Sequence, residues 1–164
     1  MHAPRSLGAY GITLALGVFG AGGLIQKCAA PSVSAPIDVS YQCTDMVNAH
    51  RTGAGIAPVT VVGSINSAAE AHATRQATKQ TMSHTGSNGS NAGQRLTASG
   101  FAWSTWAENV AAGQVDCASV ISAWMGSAGH RANILNPAMT SIGIGVVTGT
   151  NGVNYWTMDL AAGR

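Results

Sequence analysis

Apolar residues recur first at helical and later at strand-like intervals along this chain. Residues 41–50, YQCTDMVNAH, carry apolar side chains mostly three and four positions apart and precede TGAG, which predicts a first helix that ends at glycine. An alanine-rich run predicts a second helix that opens at Ser64 or Ser67 and continues to Thr81. Ser67 and Glu70 have the spacing of a capping box. The polar segment SHTGSNGSN then predicts a loop.

The middle of the chain combines short elements with turns. Residues 92–100, AGQRLTASG, predict a short helix closed by Gly100. Residues 101–113, FAWSTWAENVAAG, are aromatic and then small, which favours a strand or an irregular core segment over a helix. Asp116 is a suitable N-cap for the next helix, whose apolar face is formed by Val120, Ile121, Trp124 and Met125.

The C-terminal part has the two-residue period of strands. SIGIGVVTG places Ile142, Ile144 and Val146 on one face, and GVNYWTMDL follows an Asn151–Gly152 turn. This pattern predicts a β-hairpin. Helices early in the chain and antiparallel strands late in it indicate an α+β domain in which helices cover a sheet.

Composition agrees with one domain. The 164 residues suffice for a single hydrophobic core, and 46% apolar with 9% charged residues suits a compact domain. The net charge is only +2, and the basic residues are scattered singly, so the electrostatic footprint of a nucleic-acid-binding protein is missing. We therefore expect that the protein does not bind nucleic acid. We also expect a monomer.

The N-terminal segment differs from the rest. The uncharged run 7–26 follows the single charge of Arg5, which predicts a secretory signal peptide over residues 1–30. Residues 31–40 are rich in Pro, Ser and Ala and predict a tether, so the domain should cover 41–164. An uncleaved signal anchor is the alternative, since the run approaches membrane-spanning length. We expect secretion, with no stable membrane span after signal removal.

Export would permit two covalent modifications, a disulfide and a glycan. Cys43 and Cys117 would meet an oxidising compartment, which favours a disulfide of about 4 kcal/mol over two small buried thiols, the alternative. Their pairing requires the first helix and the tryptophan helix to begin near one another. Asn88, in the sequon NGS, would accept a glycan in a eukaryotic host.

Candidate chemistry is limited to a few polar side chains. Glu70 is expected to be a solvated cap partner, whereas Glu108 lies between an aromatic pair and an apolar run and should have a partner or face a water-filled cleft. His84 and His130 lie near glycines in turn-like sequence, where loops often present ligands. No H-E-x-x-H or C-x-x-C motif is present, and Met125 occupies the position where a nucleophile elbow needs glycine.

Six phrases in order resemble the CAP superfamily, which includes cysteine-rich secretory proteins, venom allergens and pathogenesis-related proteins. They extend from residue 41 to 160 and are VNAHRTGAGIAPV, SHTGSNGS, AENVAAG, AWMGSAGHRANILN, IGIGV and YWTMDL. The form is most similar to the short SCP-like domains of microbes. The resemblance implies a three-layer α-β-α sandwich with a central antiparallel sheet and an open cleft.

The same resemblance implies the site residues. The family's cleft histidines fall on His84 and His130, its glutamate falls on Glu108, and a second family glutamate falls near Ser127. Two imidazoles and one carboxylate could hold a divalent ion, most readily zinc, with water completing the shell. The serine at position 127 leaves a carboxylate-rich, four-residue site incomplete.

The other polar and aromatic residues near this site are expected to have structural roles. On this interpretation Gly129 turns the chain out of the tryptophan helix. We expect Arg131 and Asn133 to brace that turn, and Ile134 and Leu135 to anchor it in the core. His50 and His72 are expected to be packed or rim histidines. The expected core aromatics are Trp103, Trp106 and Trp124.

The resemblance implies a secreted, non-enzymatic binding module for sterols, fatty acids or other small amphipathic ligands, held in the cleft or in grooves between helices. A metal-assisted hydrolase is the first alternative, with water activated at His84 and His130 and Glu108 as general base. A cell-surface interaction protein is the second, since the tether and the polar loop TGSNGSNAGQ would suit it.

Overall fold

A four-stranded sheet and five helices make up residues 38–164, which are the residues described by a computed structural model of the protein. The helices are α1 Val39–Gly53, α2 Gly63–Lys79, α3 Ala92–Ala98, α4 Cys117–Gly126 and α5 Ala128–Ile134. The strands are β1 Thr60–Val61, β2 Trp103–Ala112, β3 Ser141–Thr148 and β4 Asn154–Gly163. The signal peptide predicted for residues 1–30, and residues 31–37 of the predicted tether, lie outside the described residues.

The sheet has the strand order β1-β3-β4-β2. The predicted hairpin is confirmed: β3 and β4 pair antiparallel, and Gly152 in their connecting turn has the positive φ of 75° that glycine accommodates. β2 pairs antiparallel with β4 along its length. The two-residue β1 pairs parallel with β3, and the helices and β2 that lie between them in the chain supply the long crossover that a parallel pair requires. The sheet is therefore antiparallel except at one edge.

Helices cover both faces of the sheet, as predicted for an α-β-α sandwich. On one side α1 and α4 enclose the larger apolar core, in which Cys43, Val47 and Trp124 pack against strand residues such as Ile144. On the other side α2 lies along β3 and β4, with Ile65 in a smaller apolar cluster. Among residues 38–164, no helix is long and apolar enough to span a bilayer.

The glycines of IGIG let α2 lie directly on the sheet. A Cβ at Gly143 would collide with backbone atoms of Ile65 and Asn66, and one at Gly145 would collide with the backbone at Glu70. The alternation in SIGIGVVTG thus has two buried faces: the isoleucines face the larger core, and the glycines face a helix backbone. Only glycine permits so close an approach between helix and strand.

Two helix starts differ from the sequence predictions. α1 already begins at Val39, where the Asp38 side chain accepts a hydrogen bond from the Ser40 backbone N–H. α2 begins at Gly63 without a side-chain cap, so the predicted capping box at Ser67 is wrong. The Ser67 hydroxyl instead donates to the Gly63 carbonyl one turn earlier, 2.9 Å away. Capping boxes are present instead at the start of α3, with Asn91, and at the start of α4, with Asp116. The sequence analysis predicted only the N-cap role of Asp116.

The turn predicted at Gly129 is also corrected. The chain changes direction at Ser127, which has the extended φ and ψ of −100° and 124°, and α5 begins at the next residue. Gly129 therefore lies inside the first turn of a helix. Ile134 at the end of α5 is fully buried and Leu135 is half-buried, so the predicted core anchors are confirmed.

A disulfide and a buried arginine connect α1 to the rest of the domain. Cys43 and Cys117 form the predicted disulfide between α1 and α4, with a Cα–Cα distance of 5.1 Å. Arg51, in the last turn of α1, is fully buried and donates to the carbonyls of Ala57, Ile134, Asn136 and Met139 at 2.7–2.9 Å. Sequence analysis missed Arg51, because an arginine near a helix C-terminus is usually exposed.

Candidate functional site

Glu108 is the centre of a polar cluster at the sheet surface. It lies on β2 with its side chain only 3% exposed. His84 Nδ1 lies 2.8 Å from Oε1, and Arg95 Nη2 donates a hydrogen bond to Oε2. The expectation that a carboxylate in this apolar setting needs a partner is confirmed, with one cation and one imidazole sharing it.

Arg95 links Glu108 to the loop that carries His84. It lies on α3, whose start is fixed by reciprocal hydrogen bonds between Asn91 and Gln94. Its Nη1 donates to the carbonyls of His84 and Ser90, at 3.1 and 2.9 Å. The sequence analysis did not single out Arg95. Its position on a short amphipathic helix next to the polar loop was the available signal.

The loop that carries His84 also contains the predicted glycosylation site. Asn88 is exposed, and its Oδ1 accepts a hydrogen bond from the Ser90 N–H at 3.1 Å. The glycan itself stays a prediction.

His72 lies beneath the loop and is buried, as predicted for a packed histidine. Its Nε2 donates to the Ser83 carbonyl at 2.7 Å and is 3.8 Å from Glu108 Oε2. Burial lowers the pKa of His72, while the charge of Glu108 acts in the opposite direction. The ring is accordingly neutral near pH 7. His50, in contrast, is exposed on α1 at the rim of a groove.

Asp159 is a buried carboxyl that sequence analysis missed. It lies on β4 directly opposite Glu108, and its side-chain oxygens accept no hydrogen bond from the described residues. Burial raises the pKa of Asp159 well above its ordinary value, and the charge of Glu108 raises it further. The protonated form of Asp159 is therefore favoured at this position. The signal was an aspartate inside the apolar strand YWTMDLAA.

His130 is placed by a chain of amides. Asn109 Nδ2 donates to the His130 carbonyl at 3.1 Å, and Asn133 Nδ2 donates to Asn109 Oδ1 at 2.8 Å. The ring is half-buried on α5, where burial, followed by the nearby His84, lowers the pKa of His130. Asn133 braces this turn, as predicted.

Arg131 and Ser127 complete the description of the α5 segment. Arg131 Nη1 donates to the Met125 carbonyl at 3.0 Å, which confirms its predicted bracing role. Ser127 precedes α5 half-buried, and its side chain makes no capping hydrogen bond.

The cleft at this cluster is about 360 Å³ in volume. It is lined by His84, Asn91, Ala92, Trp106, Ala107, Glu108 and Asn133. His84 and Glu108 thus meet in one cleft, as expected, whereas Ser127 and the His130 ring are not among its lining residues. Trp124 is the core aromatic that was predicted, but Trp103 and Trp106 are half-buried and meet edge to face with centroids 6.3 Å apart.

The arrangement does not fit the metal site implied by the resemblance. Within residues 38–164, no group of three His, Cys, Asp or Glu side chains is arranged to hold a metal ion. Glu108 presents its Oε2 to the Arg95 guanidinium and its Oε1 to His84, so a cation would have to displace a fixed positive charge. The zinc site at His84, Glu108 and His130 stays a prediction.

An apolar groove separates α1 from α4. Its volume is about 350 Å³, and it is lined by Met46, Ala49, His50, Ala118, Ile121, Ser122 and Met125. Several of these residues are exposed, so the groove is accessible from solvent.

Comparison with known proteins agrees with the architecture. The Bacillus subtilis protein YkwD is 33% identical over 119 residues, which cover 71% of this chain and 46% of YkwD. An extracellular SCP-domain protein from Bacillus anthracis superposes with a TM-score of 0.69 at 24% identity, covering 74% of this chain and 39% of the other. An outer surface protein from Borrelia burgdorferi gives a TM-score of 0.70 at 17% identity, covering 76% of this chain and 92% of the other. This chain spans about half the length of YkwD.

The structural matches concern the fold, which is the α-β-α sandwich of SCP domains. The family model of the cysteine-rich secretory proteins, CAP, matches residues 44–160, which includes most of α1, the His84 loop, Glu108, α5 and the hairpin up to Leu160. The matched residues therefore include the elements that form the cleft around Glu108. This chain belongs to the cysteine-rich secretory protein family.

Proposed function

We propose that this protein is a secreted, non-enzymatic binding module that holds a small amphipathic ligand of the fatty-acid type between α1 and α4. The observation that carries the proposal is the apolar groove lined by Met46, Ile121 and Met125. Its volume of about 350 Å³ lies in the range of small-ligand sites. Secretion is supported by the extracellular and outer-surface proteins that share the fold.

The lining suits an acyl chain. Methionine side chains are flexible and polarizable, so Met46 and Met125 can adjust to a chain of methylene groups. Each buried methylene contributes about 0.8 kcal/mol, which makes even partial insertion favourable. His50 at the rim offers a ring N–H to a carboxylate or hydroxyl head group. Apolar floor and polar rim together match an amphipathic ligand.

The test is displacement of a fluorescent fatty acid from the purified protein, with a labelled sterol as the second probe. Met125→Glu places a charge in the groove and should weaken fatty-acid binding about tenfold or more. Met82→Glu is the matched control, because Met82 is 53% exposed and lies outside the groove. Equal affinities of the two variants, or no saturable binding by the unaltered protein, would contradict the proposal.

The metal-assisted hydrolase has weaker support than the binding module. A general base must be free to accept a proton, and Glu108 is already held by Arg95 and His84. Metal content after dialysis against zinc, compared with His84→Ala and His130→Ala, tests this alternative directly. Retention of one zinc by the unaltered protein and its loss in both variants would support the zinc site that the hydrolase requires.

A further inference from the structure

A separate polar pocket lies between α2 and the loop that follows it. Its volume is about 360 Å³, and its lining includes His72, Arg75 and Arg95 together with residues 86–88. Neither His84 nor Glu108 lines it, so it is distinct from the cleft. The α1–α4 groove belongs to the other helical layer. Nothing in the proposed lipid-binding role uses this pocket.

The pocket collects polar atoms that have no partner. Arg75 Nε and Nη1, Arg95 Nε and His72 Nδ1 are all buried and make no hydrogen bond to residues 38–164. They are four of the eight such side-chain atoms in that part of the chain. Buried polar groups are almost always paired in folded proteins, and each unpaired one costs about 1–3 kcal/mol. All four atoms belong to residues that line this pocket, which makes a ligand bound there the candidate partner.

The charge of the pocket is positive and uncompensated. Arg95 is offset by Glu108, but Arg75 forms no ion pair with any described acidic residue. Glu70, the acidic residue of α2, is exposed. A partly buried guanidinium without a counter-ion favours an anionic ligand, since arginine presents several N–H donors to oxyanions.

His72 contributes a hydrogen-bond acceptor, in contrast to the arginine donors. Its Nε2 must carry a hydrogen, because the Ser83 carbonyl at 2.7 Å can only accept. In the neutral ring Nδ1 is then a hydrogen-bond acceptor. Since burial lowers the pKa of His72, the neutral ring is the form present near pH 7. The pocket therefore offers three N–H donors and one acceptor.

We propose that this pocket binds a small oxyanion that also carries a hydroxyl group, with Arg75 and Arg95 donating to the charged oxygens and His72 Nδ1 accepting from the hydroxyl. Monohydrogen phosphate is the simplest ligand of this class. Glycerol 3-phosphate combines the same groups on a larger molecule. Because His72 is only 1% exposed, its packing fixes the position of the Nδ1 acceptor.

The test is calorimetric titration of inorganic phosphate into the purified full chain at constant ionic strength. We expect saturable binding that Arg75→Gln weakens about tenfold or more, because two charge-assisted hydrogen bonds are lost. Lys79→Gln is the matched control: it removes the same charge from an exposed position on the same helix and should leave the affinity unchanged. Absence of saturable binding, or equal losses in the two variants, would overturn the proposal.

Sulfate tests the role of His72, because it matches phosphate in shape and charge but has no hydroxyl at neutral pH. It should bind about tenfold weaker, since one oxygen would face the Nδ1 lone pair. Equal affinities for sulfate and phosphate would overturn the assignment of His72. Glycerol 3-phosphate separates the sources of the ligand: tighter binding than phosphate indicates a phosphate group on a larger molecule, and weaker binding indicates the free ion.

Stability in phosphate-free buffer provides an independent readout. Arg75→Gln removes a partly buried cation that has no ion-pair partner among the described residues, so the melting temperature of the variant should equal or exceed that of the unaltered protein. A large decrease would show that Arg75 has a structural partner and would contradict the site. Phosphate should raise the melting temperature of the unaltered protein and of Lys79→Gln, and not that of Arg75→Gln.

Discussion

Asp159 and Glu108 lie directly opposite one another on β4 and β2, and of these two carboxyl groups only Glu108 forms an ion pair with a cation among the described residues. Glu108 is paired with Arg95, whereas Asp159 is fully buried without a donor from the described residues. Burial and the charge of Glu108 both raise the pKa of Asp159, which favours its protonated form. The cluster can thus hold two carboxyl groups with a single cation.

This relationship predicts that Asp159→Asn stabilises the protein at neutral pH. The folded state holds a proton that the unfolded state releases above the ordinary aspartate pKa of 3.8, so the stability of the unaltered protein falls as the pH rises. The amide of the variant has no such proton to lose, and the stability difference should vanish as the pH falls towards 3.8. Urea unfolding across this range measures it. The prediction would be contradicted if the free energies of unfolding of the unaltered protein and of Asp159→Asn changed in parallel with pH. The control is Asp45→Asn, at an exposed position, which should have the same pH profile as the unaltered protein.

Removing one partner of the Arg95–Glu108 pair should destabilise the fold strongly. Glu108→Gln leaves a mostly buried guanidinium without a counter-charge, and we expect a loss of about 3 kcal/mol in the free energy of unfolding. The double variant with Arg95→Gln should lose less than the sum of the single losses. Glu70→Gln, at an exposed position of α2, should change stability by less than about 0.5 kcal/mol. Additive losses in the chemical-denaturation cycle would show that the pair is not coupled.

Arg51→Met should be among the most damaging single substitutions. It removes four hydrogen bonds to carbonyls and leaves the buried ones unpaired, for an expected loss of roughly 4 kcal/mol. Arg131→Met, which removes one exposed hydrogen bond to Met125, should cost less than about 1 kcal/mol. Thermal and urea unfolding give both values. Similar losses in the two variants would contradict the role of Arg51 as the link between α1 and the α5–β3 segment.

Gly143→Ala should force α2 away from the sheet. The added methyl group meets the backbone of Ile65 and Asn66, which cannot rotate aside, and we expect a loss of about 2 kcal/mol. Gly53→Ala is the control, since a Cβ there has nothing within 4 Å and alanine favours the helix. It should be neutral or slightly stabilising. A neutral Gly143→Ala in the same melting experiment would show that the helix–strand distance is adjustable.

The Cys43–Cys117 disulfide should contribute about 4 kcal/mol, given the 74-residue separation of its cysteines. The double variant Cys43→Ser/Cys117→Ser should therefore melt well below the unaltered protein. A reductant should lower the melting temperature of the unaltered protein to a similar value and have no effect on the variant. Non-reducing peptide mapping checks the bond itself, and recovery of both cysteines as alkylated thiols from folded protein would refute it.

Local sequence signals were sufficient for the elements that depend on near neighbours. Asp116 followed by Val120, Ile121 and Trp124 predicted α4, because capping and a single apolar face operate within a few turns. The Asn151–Gly152 turn and the alternation around it predicted the hairpin for the same reason. The position of Glu108 beside apolar residues showed that it needs a partner, without identifying that partner.

The tertiary structure alone decided which distant groups meet and how much water they lose. Arg95 lies 13 residues before Glu108 and Asp159 lies far after it, and only the β2–β4 register and the α3 position bring them to it. Burial of Arg51 likewise depends on segments more than 80 residues away. The free energy of a charged or polar group is set by its desolvation and its partners, and both arise from contacts between segments that the local pattern of residues does not connect.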